Sequence, residues 1–309
     1  EKEVQDLPDE EDEEIVEQLE KDEEVVEEAE EEEIEETAGE EEELVGEAGG
    51  FGLHSDDENE EDESEADSYD VDSTRNEYQI TDLASLEDFR NAVNSGMNFA
   101  GKVVELVDDI DMTLGNANYT WTPIGTNYIR FKGTFNGNGN TISNINITSI
   151  SNNLGLFGYV DGGTVQNLII DNININGSDS IYVGGAIGYL ENGVASNITV
   201  KNGTISGKDF CGTIVGEAKG STVTECSNVG SSITGSFITA CVGGIAGGVV
   251  YSTITECNNA AKSITSTGKF PRIGGICGFI NESGISTIAC NITTTPSIQI
   301  VGKDNSSSS

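Results

Sequence analysis

The chain has 309 residues, a formal charge of -42 and a single histidine. Nothing in that balance suggests nucleic-acid binding, since a phosphate backbone meets repulsion from the acidic end, and no nucleic-acid partner is expected. The lone His54 lies in an acidic run, which leaves no histidine base for nucleophilic catalysis and no common Cys/His zinc spacing.

The charge is concentrated at one end. Residues 1–74 hold 38 acidic side chains and two lysines, whereas the remainder holds 18 acids and 12 bases. With so few apolar residues, the leader 1–76 cannot offset the entropy of ordering and is expected to be mostly disordered. The chain starts at Glu1 without Met, so a mature form or an excised fragment is expected. No apolar run reaches membrane-spanning length, so no insertion by this segment is expected.

Residues 77–150 read as an N-terminal cap with the first strands. SLEDFRNAVNSG (85–96) has Ser85 at an N-cap position, an acid three residues on, apolar Leu86, Phe89 and Val93 on one side, and Gly96 after the end. That pattern predicts a short amphipathic helix. KVVELVDDIDM (102–112) follows as a strand-like run, and its DDID reads as a strand-ending turn because the further ligands of a calcium loop are missing. YTWTPIG and FKGTFNGNGNTISNINI complete the cap.

From residue 151 to 303 the sequence repeats. LGLFGYV, VGGAIGYL, CGTIVGEA, VGGIAGGV and IGGICGFI carry marker glycines Gly158, Gly188, Gly216, Gly247 and Gly278, with steps of 30, 28, 31 and 31 residues. Each cluster precedes a stretch rich in Ile, Val, Thr and Asn with period-two alternation, the pattern of strands. Such a unit cannot bury its apolar face alone but can when stacked on copies of itself, so the fold expected is all-β, a parallel β-solenoid of about five to six coils. The glycines are expected to supply corners with positive φ and close backbone approach. A phosphate-binding loop is not supported, since no helical pattern follows any cluster. The tail 304–309 reads as the start of a Ser-rich linker.

The cysteines follow the same frame. Cys226 and Cys257 each lie 10 residues past a marker, and Cys290 lies 12 past the last one. They are expected to form an inward ladder of buried thiols. Glu225 and Glu256 each precede a laddered cysteine, so alternation points them outward, one above the other. Stacked carboxylates repel unless a cation lies between, which makes them either an exposed pair or a weak Ca²⁺ site; no other cofactor is expected. Tyr159, Tyr182, Tyr189 and Tyr251 are candidate ligand-binding residues because their rings can stack on sugars.

In this order, ITDLASLEDFRNAVNSGMNFAGKVVELVDDIDM, TWTPIG, GLFGYV and the repeated VGGIAG and TECNN resemble bacterial surface proteins with GLUG-type repeats over roughly 77–303. Two features depart from the pattern: Thr213 stands where the second glycine falls elsewhere, and the acidic leader has no counterpart. The resemblance implies a right-handed parallel β-helix on a secreted or wall-attached adhesin, with no catalytic residues to carry over.

The function expected is therefore a non-catalytic, extracellular structural or adhesive protein, monomeric, presenting its surface to a host or bacterial glycan or a surface protein. The alternatives are a polysaccharide-active β-helix enzyme, a lyase or hydrolase, and a spacer module of a larger surface enzyme.

Overall fold

The computed structural model describes residues 76–113, 116, 118–281, 287–292 and 300–302. The leader up to residue 75 and the 304–309 tail lie outside the described residues. The described part is a parallel β-solenoid. One coil contains the strands Tyr182–Gly184, Ile187–Glu191, Val194–Lys201 and Thr204–Gly207. Each pairs in parallel with its counterpart one coil on, which builds four parallel sheets; the long one starts at Glu77 and the other three start at Asn146, Asn153 and Phe157.

The alternation of the sequence sets what lies inside. In the sheet containing Thr204–Gly207, Ile147, Ile175, Ile205, Ile233 and Ile264 stack in register and are at most 1% exposed. In the long sheet, Phe135, Val165, Ala195, Val223 and Ile254 form a second inward column. Burial of such columns is the main favourable term in this fold.

The stack has about seven turns rather than five to six. The additional turns come from the cap, whose strands Glu77–Ile80, Val103–Leu106 and Thr134–Asn136 join the same long sheet in parallel. They lack the glycine cluster by which coils were counted.

The helix spans Leu83–Asn94, and its N-cap is Asp82 rather than Ser85. The Asp82 carboxylate accepts from the Ser85 N–H at 2.8 Å, and the Ser85 hydroxyl accepts from the Asp82 N–H at 3.1 Å. This is a capping box with the usual residues exchanged. Leu86, Phe89 and Val93 are buried as the pattern predicts. Phe89 sits among Phe99, Phe131, Phe135 and Phe157 with ring centroids 5.0–6.5 Å apart, closing the open end of the core. Within DDID, Asp109 accepts from the Thr141 N–H at 2.7 Å and Asp111 from the Thr113 N–H at 2.9 Å, the work of turn residues.

The marker glycines do not supply positive φ. None of Gly158, Gly188, Gly216, Gly247 or Gly278 is among the left-handed residues. Their role is close approach: a Cβ on Gly247 would lie 2.4 Å from the Cys211 nitrogen and one on Gly216 2.5 Å from the Gly188 oxygen, and the non-marker Gly243 is tighter still, 2.0 Å from the Ala246 oxygen.

The left-handed corners fall elsewhere, on a five-residue step. Gly162, Asn167 and Asn172 all have positive φ, as do Asn192, Asn197 and Asn202 one coil on, then Gly220, Glu225 and Gly230. Asn and Gly tolerate this region best, Asn through its short polar side chain. The side chains then bond along the axis: Asn197 Nδ2 donates to Asn167 Oδ1 at 2.9 Å, and Asn167 Nδ2 donates to Asn136 Oδ1 at 2.9 Å.

Cys226 and Cys257 stack one coil apart, with Cys290 on the next. All six are free thiols, and Cys226 and Cys257 are fully buried, with Cys290 half-buried. Cys226 occupies the rung above Ile198, where a small apolar side chain fits. The neighbouring Cys226 thiol together with burial pushes Cys257 well above the ordinary thiol range. Thr213, the residue that departs from the glycine pattern, is buried, and its hydroxyl has no hydrogen-bond partner among the described residues.

A candidate binding strip along the solenoid

The first two strands of each coil fold sharply against each other at the glycine cluster. The residue two before the first glycine of the pair and the residue after the marker glycine project from the two strands on the same side. In one coil these are Tyr182 and Tyr189, whose ring centroids are 4.8 Å apart. Outward side chains from successive strands meet only where the corner between them is concave.

Register stacks these positions. Tyr159, Tyr189, Glu217, Gly248 and Phe279 form one column, and Asn153, Tyr182 and Phe210 lead the other. Tyr159 and Tyr189 are 4.9 Å apart, Tyr182 and Phe210 stack at 5.5 Å, and Phe210 and Phe279 are 6.3 Å apart. The last contact spans two coils because Gly248 leaves a gap. A Cβ there would lie 2.7 Å from the Phe210 ring. A guanidinium closes each end: Arg130 lies 4.5 Å from the Tyr159 centroid and Arg272 lies 4.9 Å from that of Phe279.

Charges beside the rings are layered. Lys132 pairs with Asp161 at 2.8 Å, Arg130 with Asp161 at 3.6 Å and with Glu191 at 3.5 Å, and Lys219 with Glu191 at 3.3 Å. The cationic side chains are 38–48% exposed and the carboxylates 16–18%, so the positive layer is outermost. Tyr159 donates its hydroxyl to Glu191 at 2.6 Å. Burial and this bond hold the Tyr159 phenol well above its ordinary range. Burial acts to raise Asp161, but Lys132 and Arg130 outweigh it and keep that carboxyl below the usual range.

Two carboxyls behave oppositely. Glu217 is 8% exposed, and burial pushes it up to about 7 despite Lys219 nearby. Burial pushes Asp209 up to about 6, and its Oδ1 has no hydrogen-bond partner among the described residues. Both are partly neutral near pH 6–7. Burial also lifts the Cys241 thiol to about 11. A thiol that stays protonated is a poor nucleophile.

Beside the Arg130 end, a shallow cavity of about 380 Å³ is lined by Gly96, Asn98, Tyr128, Ile129, Arg130 and Lys132.

Tyr159, Tyr182 and Tyr189, selected from sequence, thus come together. Tyr251 does not join them in the ring contacts described. It stands at the corner after its strand, with φ 50 and 53% exposed. Glu225 and Glu256 are exposed and stacked one coil apart, each left-handed with φ 56: Glu225 lies between two strands, and Glu256 lies inside the strand Thr253–Ala260, where it breaks the alternation. Among the described residues no group of three His, Cys, Asp or Glu side chains is placed to hold a metal ion. Phe210, Phe279, Glu217, Asp209 and the two arginines belong to the site without a motif of their own in the sequence. Alignment of the repeats on the glycine cluster would have found Phe210 opposite Tyr182, and Glu217 and Phe279 opposite Tyr189.

These features define the class: a stacked-coil repeat protein with an extended outward strip. No family model matches the chain. A stretch of 112 residues is 38% identical to a protein of Evansella cellulosilytica named "Putative Gly-rich membrane protein", covering 34% of this chain and 12% of that protein. The same length is 34% identical to Halomucin of Haloquadratum walsbyi, covering 34% of this chain and 1% of Halomucin. The matched part therefore spans about an eighth or less of either relative, and neither name denotes an enzyme. In fold, the chain is similar to the crystal structure of "a putative immunoglobulin A1 protease" from Bacteroides ovatus, with a TM-score of 0.58, 23% identity and coverage of 70% of this chain and 67% of that one. That likeness is one of fold alone. None of these comparisons shows GLUG-type repeats as such. Among the described residues, no helix is long and apolar enough to cross a membrane.

Proposed function

We propose that this chain is a non-catalytic adhesive segment of a longer extracellular surface protein, a rigid solenoid that presents one side to a glycan or to a surface protein. The observation that carries the reading is the strip. It crosses five successive coils in register and carries aromatic rings in four of them; Tyr182, Tyr189, Phe210 and Phe279 are half-buried, Tyr159, Glu217 and Gly248 are buried, and cations lie at its edge. Extended surfaces of this kind suit extended partners. The names and great length of the two sequence relatives support placement at the cell surface, as part of something larger. The raised carboxyls Asp209 and Glu217 beside the strip are the feature that would serve hydrolysis, which needs a protonated acid next to the ligand.

The test is a glycan array probed with the full 309-residue chain, followed by a turnover assay on every glycan retained. Retention without release of new reducing ends is expected. Steady release of reducing ends, abolished by Glu217→Gln, would replace this reading with the enzymatic one.

A further inference from the structure

We infer that the ligand of the strip is an acidic polysaccharide, lying along the solenoid axis with its rings against Tyr182, Tyr189, Phe210 and Phe279 and its carboxylates or sulfates facing Arg130, Lys132 and Lys219. This rests on the adhesive reading above and names the site and the chemical class that the reading leaves open.

Three observations favour it. The first is repeat length. Parallel strands are spaced about 4.8 Å apart, so five rungs cover roughly 20 Å, the reach of several linked rings rather than one monosaccharide. The second is charge. Most of the -42 charge lies in residues 1–74, and of the ten described cations Arg130, Lys132, Lys219 and Arg272 lie along this strip. The carboxylates that pair with three of them lie deeper, with 16–18% of their side chains exposed, so the outer donors of the lysines and of Arg130 face solvent. Arg forks and Lys ammonium groups of this kind are the usual partners of carboxylate and sulfate. The third is apolar surface. Sugar rings present C–H faces to aromatic rings, and the half-buried Tyr182, Tyr189, Phe210 and Phe279 offer an unbroken series of ring contacts. The cavity at the Arg130 end accommodates one terminus of such a chain.

The strip also has a structural use, since its rings stabilise one another. The test must separate that from binding. The full chain is titrated calorimetrically with a polygalacturonate oligomer and, separately, with a neutral cello-oligosaccharide of the same length. Polygalacturonate is expected to bind, more weakly as salt rises, and the neutral oligomer at least about tenfold more weakly, the effect of one or two charged contacts. The exposed pair Lys132→Gln with Lys219→Gln is expected to reduce polygalacturonate affinity about tenfold and leave thermal unfolding near that of the parent. Tyr182→Phe is expected to keep binding, and Tyr182→Leu with Phe210→Leu to lose it.

Equal binding of the neutral oligomer overturns the acidic class. Polygalacturonate affinity unchanged in the lysine pair overturns the site. Neither oligomer binding, while the chain is retained by other glycans or surface proteins, overturns this inference and leaves the adhesive reading standing. Turnover in the assay above overturns the adhesive reading instead.

Discussion

Glu217 is a carboxyl in the wrong place for an ion, and its consequence is a pH-dependent stability. Its folded pKa, about 7, is above the ordinary value of 4.5 because burial disfavours the charge. Between those values the folded state holds a proton that the unfolded state has released. Stability therefore falls as pH rises from 4.5 to 7 and stays low above it. Glu217→Gln is expected to leave thermal unfolding unchanged near pH 4 and to raise stability at pH 8 by roughly 3 kcal/mol, given about 1.4 kcal/mol per unit. A uniform effect across pH would show that the side chain acts by packing alone. Glu225 and Glu256 hold a different strain, at left-handed positions where the neighbouring coils place asparagine. Glu225→Asn with Glu256→Asn is expected to stabilise the chain by about 1 kcal/mol per site in urea titrations, by relieving both the backbone conformation and the stacked charges. A loss of stability would show that the two carboxylates have a favourable partner.

At the scale of the element, two kinds of glycine do different work. Gly243 lies in the sharp fold between strands, where a Cβ would fall 2.0 Å from a carbonyl oxygen, whereas Gly230 has φ 77 and open space out to 3.6 Å. Gly243→Ala is expected to cost more than about 3 kcal/mol, because backbone must shift. Gly230→Asn is expected to be near neutral, with Asn202 as its neighbour in the corner column. Denaturant midpoints for the two variants check this, and similar losses for both would refute the distinction. The contrast also explains what was legible in the sequence. The glycine clusters show the coils from residue 154 on because each of those coils repeats them in one block, and Cys226, Cys257 and Cys290 fall at similar distances from them. The left-handed corners were hidden because each varies in residue type, Gly162, Asn192, Gly220 and Tyr251 sharing one column. Tyr251 shares the residue type of the strip tyrosines, but its position belongs to that corner. Phe210 and Glu217 are hard to see in the sequence because the residue type changes between rungs while the position does not. The cap's contribution to the stack was hidden for the opposite reason: its strands carry the alternation without the glycine block.

The whole molecule depends on repetition of one edge. Every coil offers the next the same backbone donors and acceptors, and Val215 stands opposite Ala246 as Ile187 stands opposite Val215. Deleting residues 216–246 would place Gly247 directly after Val215 and leave every later rung in register. The shortened chain is expected to fold, with a urea m-value reduced in proportion to the surface lost. A collapse to an unfolded or aggregated chain would show that the coils are not equivalent. A single-residue insertion within a strand is a different event, since it turns every inward side chain outward. The arithmetic of the backbone thus separates tolerated changes of length from ruinous ones. A gene encoding this fold can grow or shrink by unequal crossing-over at steps of 28 to 31 codons, and each such event lengthens or shortens the presented strip by one rung without redesigning any contact. Reach, and with it the number of ligand units engaged at once, becomes a heritable dial set by copy number rather than by point mutation.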